Sequence, residues 1–155
     1  MSSIFFGELM GTMVLVYLGD SVVANVILKK TKGEGTGWIV ITTAWAFAVL
    51  LGIFASNACG SPGAHINPAV TLAMALMNNT PWEQVPVFVS AQFIGGFIGA
   101  ILVYLHYMPH FKATEDGATK LGVFSTGPAI RDWTNWLGEI FGTFMLVFSI
   151  VGIGK

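Results

Sequence analysis

The chain has 155 residues, of which 54% are hydrophobic and only 10% charged, with a formal net charge of −1 at pH 7. Soluble domains carry roughly 25% charged residues, so an ordinary water-exposed globule is excluded, and the near-neutral balance offers no basic face for nucleic acid. The single cysteine, Cys59, excludes an internal disulfide and a cysteine metal cluster.

A bilayer core about 30 Å thick needs roughly 20 mostly apolar residues per spanning helix. Segments 4–27, 38–58, 85–107 and 133–153 meet that requirement, which predicts an integral membrane protein with four spans. The first is too long for a signal-peptide core and lacks a basic start, so it reads as a retained helix. Its stretch "FGELMGTMVLV" at 6–16 is nearly repeated as "LGEIFGTFMLV" at 137–147. Glu8 thereby finds an echo in Glu139, and the pair Gly7/Gly11 in Gly138/Gly142. An acid inside a span is expensive and usually faces a polar interior; the plainer reading of Glu8 is a boundary residue at the headgroups. Asp20 lies deeper in the same span and has no echo, since the matching position is Val151.

After the short polar turn "KKTKGEGTG" (29–37), the second span carries Trp45 in "TTAWAFAVLLGIF", as a wall, packing or lipid-facing residue. Residues 56–81, "SNACGSPGAHINPAVTLAMALMNNTP", contain no Lys, Arg, Asp or Glu. They begin as irregular Gly/Pro-rich chain and end in a helix former. Asn is a preferred N-cap and Pro a preferred first helical residue, so Asn67–Pro68 starts a helix that continues through Ala69 to about Met77. Such a helix reaches only some 15 Å, half a membrane. An N-capped surface helix is one reading of Asn-Pro. The charge-free surroundings favour a re-entrant loop, whose half-helix start brings partial positive charge and unpaired N–H groups to mid-membrane. The irregular residues before it, Gly63, Ala64, His65 and Ile66, leave carbonyls free, which is tolerated at that depth only inside protein or beside a water-filled cavity. His65 alone, without partners at ligand spacing, does not make a metal site.

The third span contains Gly95/Gly99, a small pair that permits close helix approach within or between subunits. His106 and His110 flank its end as interfacial residues. Residues 107–132 are long, polar and punctuated by Gly and Pro, which predicts an extramembrane loop. The fourth span follows at 133–153.

"SPGAHINPAVTLA" resembles the first NPA loop of the aquaporin and glycerol-facilitator family, and "GELMGT" resembles that family's first-helix signature. The resemblance covers essentially the whole chain. It implies an all-α, right-handed membrane bundle built from two inverted repeats of three spans and one half-helix, an established transport architecture. On this reading residues 1–131 are the first repeat, with half-helix 67–77, and residues 132–155 are the first span of a truncated second repeat. The inverted repeat is incomplete here, because a second NPA loop does not occur within these residues.

Carried over position by position, the resemblance implies that the Asn67 amide donates to a passing oxygen. The carbonyls of Gly63, Ala64 and His65 accept from solute hydroxyls, Pro68 and Ala69 begin the half-helix, and Glu8 and Glu139 brace the re-entrant loops. Trp45 stands where the family has its selectivity constriction, and a tryptophan there resembles the glycerol-conducting branch. An indole can pack the C–H face of glycerol while polar groups opposite bind its oxygens. The implied function is a passive channel in the cell membrane for glycerol and other small neutral solutes, with water, assembled as a homotetramer when complete and using no cofactor or metal. The alternatives are a water-selective pore and a non-conducting assembly subunit. An enzyme is not expected, since no nucleophile elbow, metal-binding helix motif or phosphate loop is present. The loops at 28–37 and 108–132 hold six of the seven Lys and Arg residues. The positive-inside rule would place those loops in the cytoplasm, whereas the family resemblance puts the N-terminus there.

Overall fold

The computed structural model describes residues 2–153. Helix α1 is Ser2–Ile27, α2 is Trp38–Ala58, α3 is Pro68–Leu76, α4 is Val85–His106, α5 is Met108–Ala113, α6 is Gly117–Leu121 and α7 is Thr134–Ile153. No strand occurs among the described residues, and the protein is all-α. Four of these helices are long and apolar enough to cross a membrane. The longest, α1, has 26 residues, or about 39 Å of helix at the standard rise.

Helix α1 is the centre of the bundle, packed between α2 and α4. Side-chain size decides how closely the helices approach. A Cβ on Gly11 would fall 2.5 Å from the Ser56 Cβ and 2.8 Å from the Gly52 carbonyl of α2. On the opposite side, a Cβ on Gly95 would collide with the Leu9 carbonyl, and one on Gly99 would lie 2.8 Å from the Met13 carbonyl. In lipid, where apolar burial gives no drive between helices, such backbone proximity supplies the packing. Both glycine pairs therefore serve contacts within the chain. Around Gly138 and Gly142 there is open space, and no residue of α7 is buried.

The segment after α4, expected as an extramembrane loop, carries short helices of its own. It folds into α5 and α6, and Phe111 of α5 together with Val123, just past α6, closes over the ends of α1 and α4. Phe111 and Val123 join Ala24, Leu28 and Val103 in a buried cluster, with Phe111 stacked on Phe124 at 5.7 Å. Asp116 accepts from the Thr119 hydroxyl at 2.6 Å and, capping α6, from the Thr119 amide at 2.7 Å, and these bonds hold its carboxyl below the ordinary carboxylate range. Polar composition concealed these helices because only a few apolar residues in each are needed to seat them. On the outer faces of α2 and α4, Phe47, Phe54, Phe93 and Phe97 are exposed, a distribution that suits hydrocarbon as solvent.

Candidate functional site

The site forms where the chain leaves α2 and turns back into α3. Gly60 and Gly63 have φ of 99° and 102°, and two residues with side chains, Ala64 and Ile66, have φ of 40° and 44°. Positive φ is a genuine outlier for a β-branched residue such as Ile. Each such residue costs on the order of 1–3 kcal/mol and persists only when its surroundings over-determine it.

Glu8 supplies that determination. It is fully buried on α1, and its two oxygens collect donors from three parts of the chain: Ser56 of α2, which donates to Oε1 at 3.4 Å, the loop, and α4. Oε1 accepts from Ser61 Oγ at 2.8 Å and from the His65 amide at 3.0 Å. Oε2 accepts from the Ile66 amide at 2.7 Å and from Gln92 Nε2 of α4 at 2.8 Å. Charge-assisted bonds of this kind are roughly twice as strong as neutral ones. With its amides drawn toward Glu8, the loop has its carbonyls left over. None of the hydrogen bonds among the described residues ends on the carbonyl of Gly63, Ala64 or His65.

Asn67 follows in an extended conformation, φ −155°, and caps α3. Its Oδ1 accepts from the Ala69 amide at 2.8 Å. Pro68 occupies the first helical turn, where its missing N–H is not needed. Because the oxygen is engaged in the cap, Nδ2 is oriented away from it and keeps its two N–H donors without a partner among the described residues. Helix α3 has nine residues, about 14 Å of rise, or half a bilayer core.

A second network ties the loop to α4. Thr71 Oγ1 donates to the Asn67 carbonyl at 3.2 Å and accepts from Gln92 Nε2 at 3.0 Å. That pattern assigns the proton to His65 Nδ1, which lies 3.1 Å from Thr71 Oγ1. The His65 ring stacks on Phe88 at 4.4 Å and is part of the scaffold, while its Nε2 and its carbonyl have no hydrogen-bond partner among the described residues. Gln92, Thr71 and Ser61 were not singled out from the sequence. The signal was present in Gln92, a polar side chain in the middle of an apolar span.

Trp45 and Glu139 lie apart from this loop. The Trp45 indole covers Gly19 of α1, where a Cβ would be 2.6 Å from the ring. Its remaining surface opens on a cleft of about 1310 Å³ lined by Asp20, Val23, Ile41, Thr42 and, from α7, Glu139. Asn67 is not among the residues lining that cleft. Glu139 is exposed and makes no hydrogen bond to the 61–67 loop among the described residues. The echo of Glu8 in sequence is therefore not an echo in bonding here, because α7 packs chiefly against α3 and faces no second loop among those residues.

Comparison with known proteins agrees with this architecture. The sequence model described as Major intrinsic protein matches residues 2–154. The chain is 51% identical over 153 residues to a probable glycerol uptake facilitator protein of Thermotoga maritima, covering 98% of this chain and 64% of that protein. It is 49% identical to a glycerol uptake facilitator protein of Bacillus subtilis, over 97% of this chain and 54% of the relative. It is 48% identical to glycerol uptake facilitator protein 3 of Lactiplantibacillus plantarum, over 96% and 62%. The chain thus spans between 54% and 64% of the length of these curated relatives. A re-entrant half-helix seated among apolar spanning helices, and a family match over nearly every residue, lead to one assignment: the chain belongs to the major intrinsic protein family.

Proposed function

We propose that this chain supplies the first inverted repeat, and the opening span of the second, of a passive channel for glycerol and similar small neutral solutes, with water passing alongside. Its family is one of multi-pass membrane channels, so the chain is a membrane channel protein rather than an enzyme. The observation that carries the substrate reading is the row of unengaged carbonyls at Gly63, Ala64 and His65, which leads to the free amide donors of Asn67. A molecule stripped of bulk water needs replacement hydrogen bonds. Polyol hydroxyls both donate and accept, so such a row and such an end point suit them. Trp45 supplies an apolar wall for C–H groups, and the relatives that match are named for glycerol uptake. Assembly as a homotetramer, with the exposed faces of the spans meeting lipid or neighbouring copies, is part of the same proposal.

The test is stopped-flow swelling of proteoliposomes containing the full-length protein. Glycerol entry well above that of empty vesicles is expected, inhibited by neither metal chelation nor loss of a proton gradient. Water entry without glycerol entry would replace this reading with a water-selective pore. Absence of both at verified incorporation would favour a non-conducting subunit.

A further inference from the structure

Asp20 has no role in the scaffold described above. It belongs to α1, which ends at Ile27, whereas Trp45 belongs to α2, which begins at Trp38. Each therefore sits seven residues from the loop that joins the two helices, at the same depth, about 10 Å below it. The residue before it, Gly19, is the one the Trp45 indole covers. Asp20 is 8% exposed, and that small opening faces the cleft that Trp45 lines. Among the described residues Asp20 has no hydrogen-bond partner and no cation beside it; the ion pair found there is Lys29–Glu34, in the loop. Val23, Ile41 and Thr42 line the cleft with Asp20, and the charged side chains among its other lining residues are Asp116, Arg131 and Glu139, none of them paired with Asp20.

A carboxyl with no partner at membrane depth is costly and marks function more often than structure. Its surroundings indicate which function. A flat indole suited to C–H groups and two oxygens with lone pairs line one cleft, which is large enough to admit small molecules. We infer that Asp20 is a hydroxyl-accepting residue of the solute path at the level of Trp45, and that it favours polyols over analogues with fewer hydroxyl donors. The inference rests on the glycerol-channel reading. Its chemistry holds in either protonation state, because an ionised carboxyl accepts at both oxygens and a protonated one still accepts while also donating. The carbonyl row of the 63–65 loop supplies acceptors at another place, so two acceptor stations would act on one solute in turn.

The experiment compares entry of glycerol with that of 1,2-propanediol, which lacks one hydroxyl, in proteoliposomes of the full-length protein. Wild type, Asp20→Val and Asp20→Asn are measured at matched incorporation. Loss of one net hydrogen bond predicts that Asp20→Val lowers the glycerol-to-propanediol ratio about 3- to 10-fold. Asp20→Asn keeps one acceptor oxygen and falls between wild type and Asp20→Val. An unchanged ratio in Asp20→Val overturns the assignment. So does a proportionate fall for both solutes with poor recovery of folded protein, which would make Asp20 a structural partner of another segment. If Asp20→Val does not assemble, Asp20→Asn decides, and an unchanged ratio there overturns the proposal. Failure of wild type to admit glycerol at all is a separate result, which removes the channel reading itself.

Discussion

Glu8 Oε2 accepts from the amide of Ile66 at 2.7 Å, across 58 residues of sequence. The bond joins a fully buried carboxylate on the central helix to a β-branched residue held at φ 44°. Neither end is favourable alone, since the carboxylate needs donors and the loop needs an anchor against strain. Together they fix the loop, and the first prediction follows from that dependence.

Glu8→Gln keeps the shape but presents an amide N–H₂ to a shell composed wholly of donors. At least one of the His65 and Ile66 amides is then left buried and unsatisfied, at about 1–3 kcal/mol. The expected result is a lower melting temperature in detergent and glycerol entry reduced by an order of magnitude or more per folded protein. A variant that melts and conducts like wild type would show that the loop holds its shape without Glu8.

Asn67 makes two contributions that can be separated. Asn67→Ala removes the cap of α3, at about 0.5–2 kcal/mol, and also the free amide. Asn67→Asp keeps the capping oxygen but loses the N–H donors. Melting temperature should fall for Asn67→Ala and hold for Asn67→Asp, whereas glycerol entry should fall for both. Full entry in Asn67→Asp would remove the donor role.

Trp45 is reached from two sides. Trp45→His makes the wall smaller and more polar, and should lower glycerol entry more than water entry. Trp45→Ala should weaken discrimination among polyols. Gly19→Ala pushes a methyl to within 2.6 Å of the present ring position, so it should disturb the same ratio without touching the indole chemically. Constant glycerol-to-water ratios across all three would make Trp45 a packing residue.

On the proposed channel reading, helix α3 supplies about 14 Å of a path across about 30 Å of hydrocarbon. Residues 1–155 reconstituted as a separate polypeptide should therefore conduct neither glycerol nor water above empty vesicles. Co-reconstitution with a polypeptide carrying an oppositely oriented half-helix should restore entry, because independently inserted helices associate within the bilayer. Glycerol-selective entry from the lone polypeptide, with crosslinks between Asn67 residues of two copies, would point instead to an antiparallel dimer.

The spans were legible in the sequence because twenty uncharged apolar residues have few other uses, and their observed ends at Ile27, Ala58, His106 and Ile153 fall within a residue of the hydropathy limits. The α3 boundary was legible because Asn67 and Pro68 encode a helix start chemically. Partnerships formed across space were not. Gln92 meets Glu8 and Thr71 only because α4 passes behind the loop, and no periodicity along α4 announces that. Likewise α5 and α6 are too short to show a pattern, and the burial of Phe111 and Val123 is decided by Leu28, just past α1, and Val103 of α4. Glu139 matches Glu8 in sequence, and no loop for it to brace lies among the described residues.

The unengaged oxygens of Gly63, Ala64 and His65 are main-chain atoms, and every amino acid has one. No point mutation can delete such an atom or exchange it for another element. On the proposed channel reading, heritable change reaches the row only indirectly, by altering the carboxylate that holds it or the side chains proposed to face the solute. Variants of this protein with new solute preferences should therefore differ in side chains around the path, such as those at positions 20 and 45, while the acceptor row itself passes unchanged from one preference to the next.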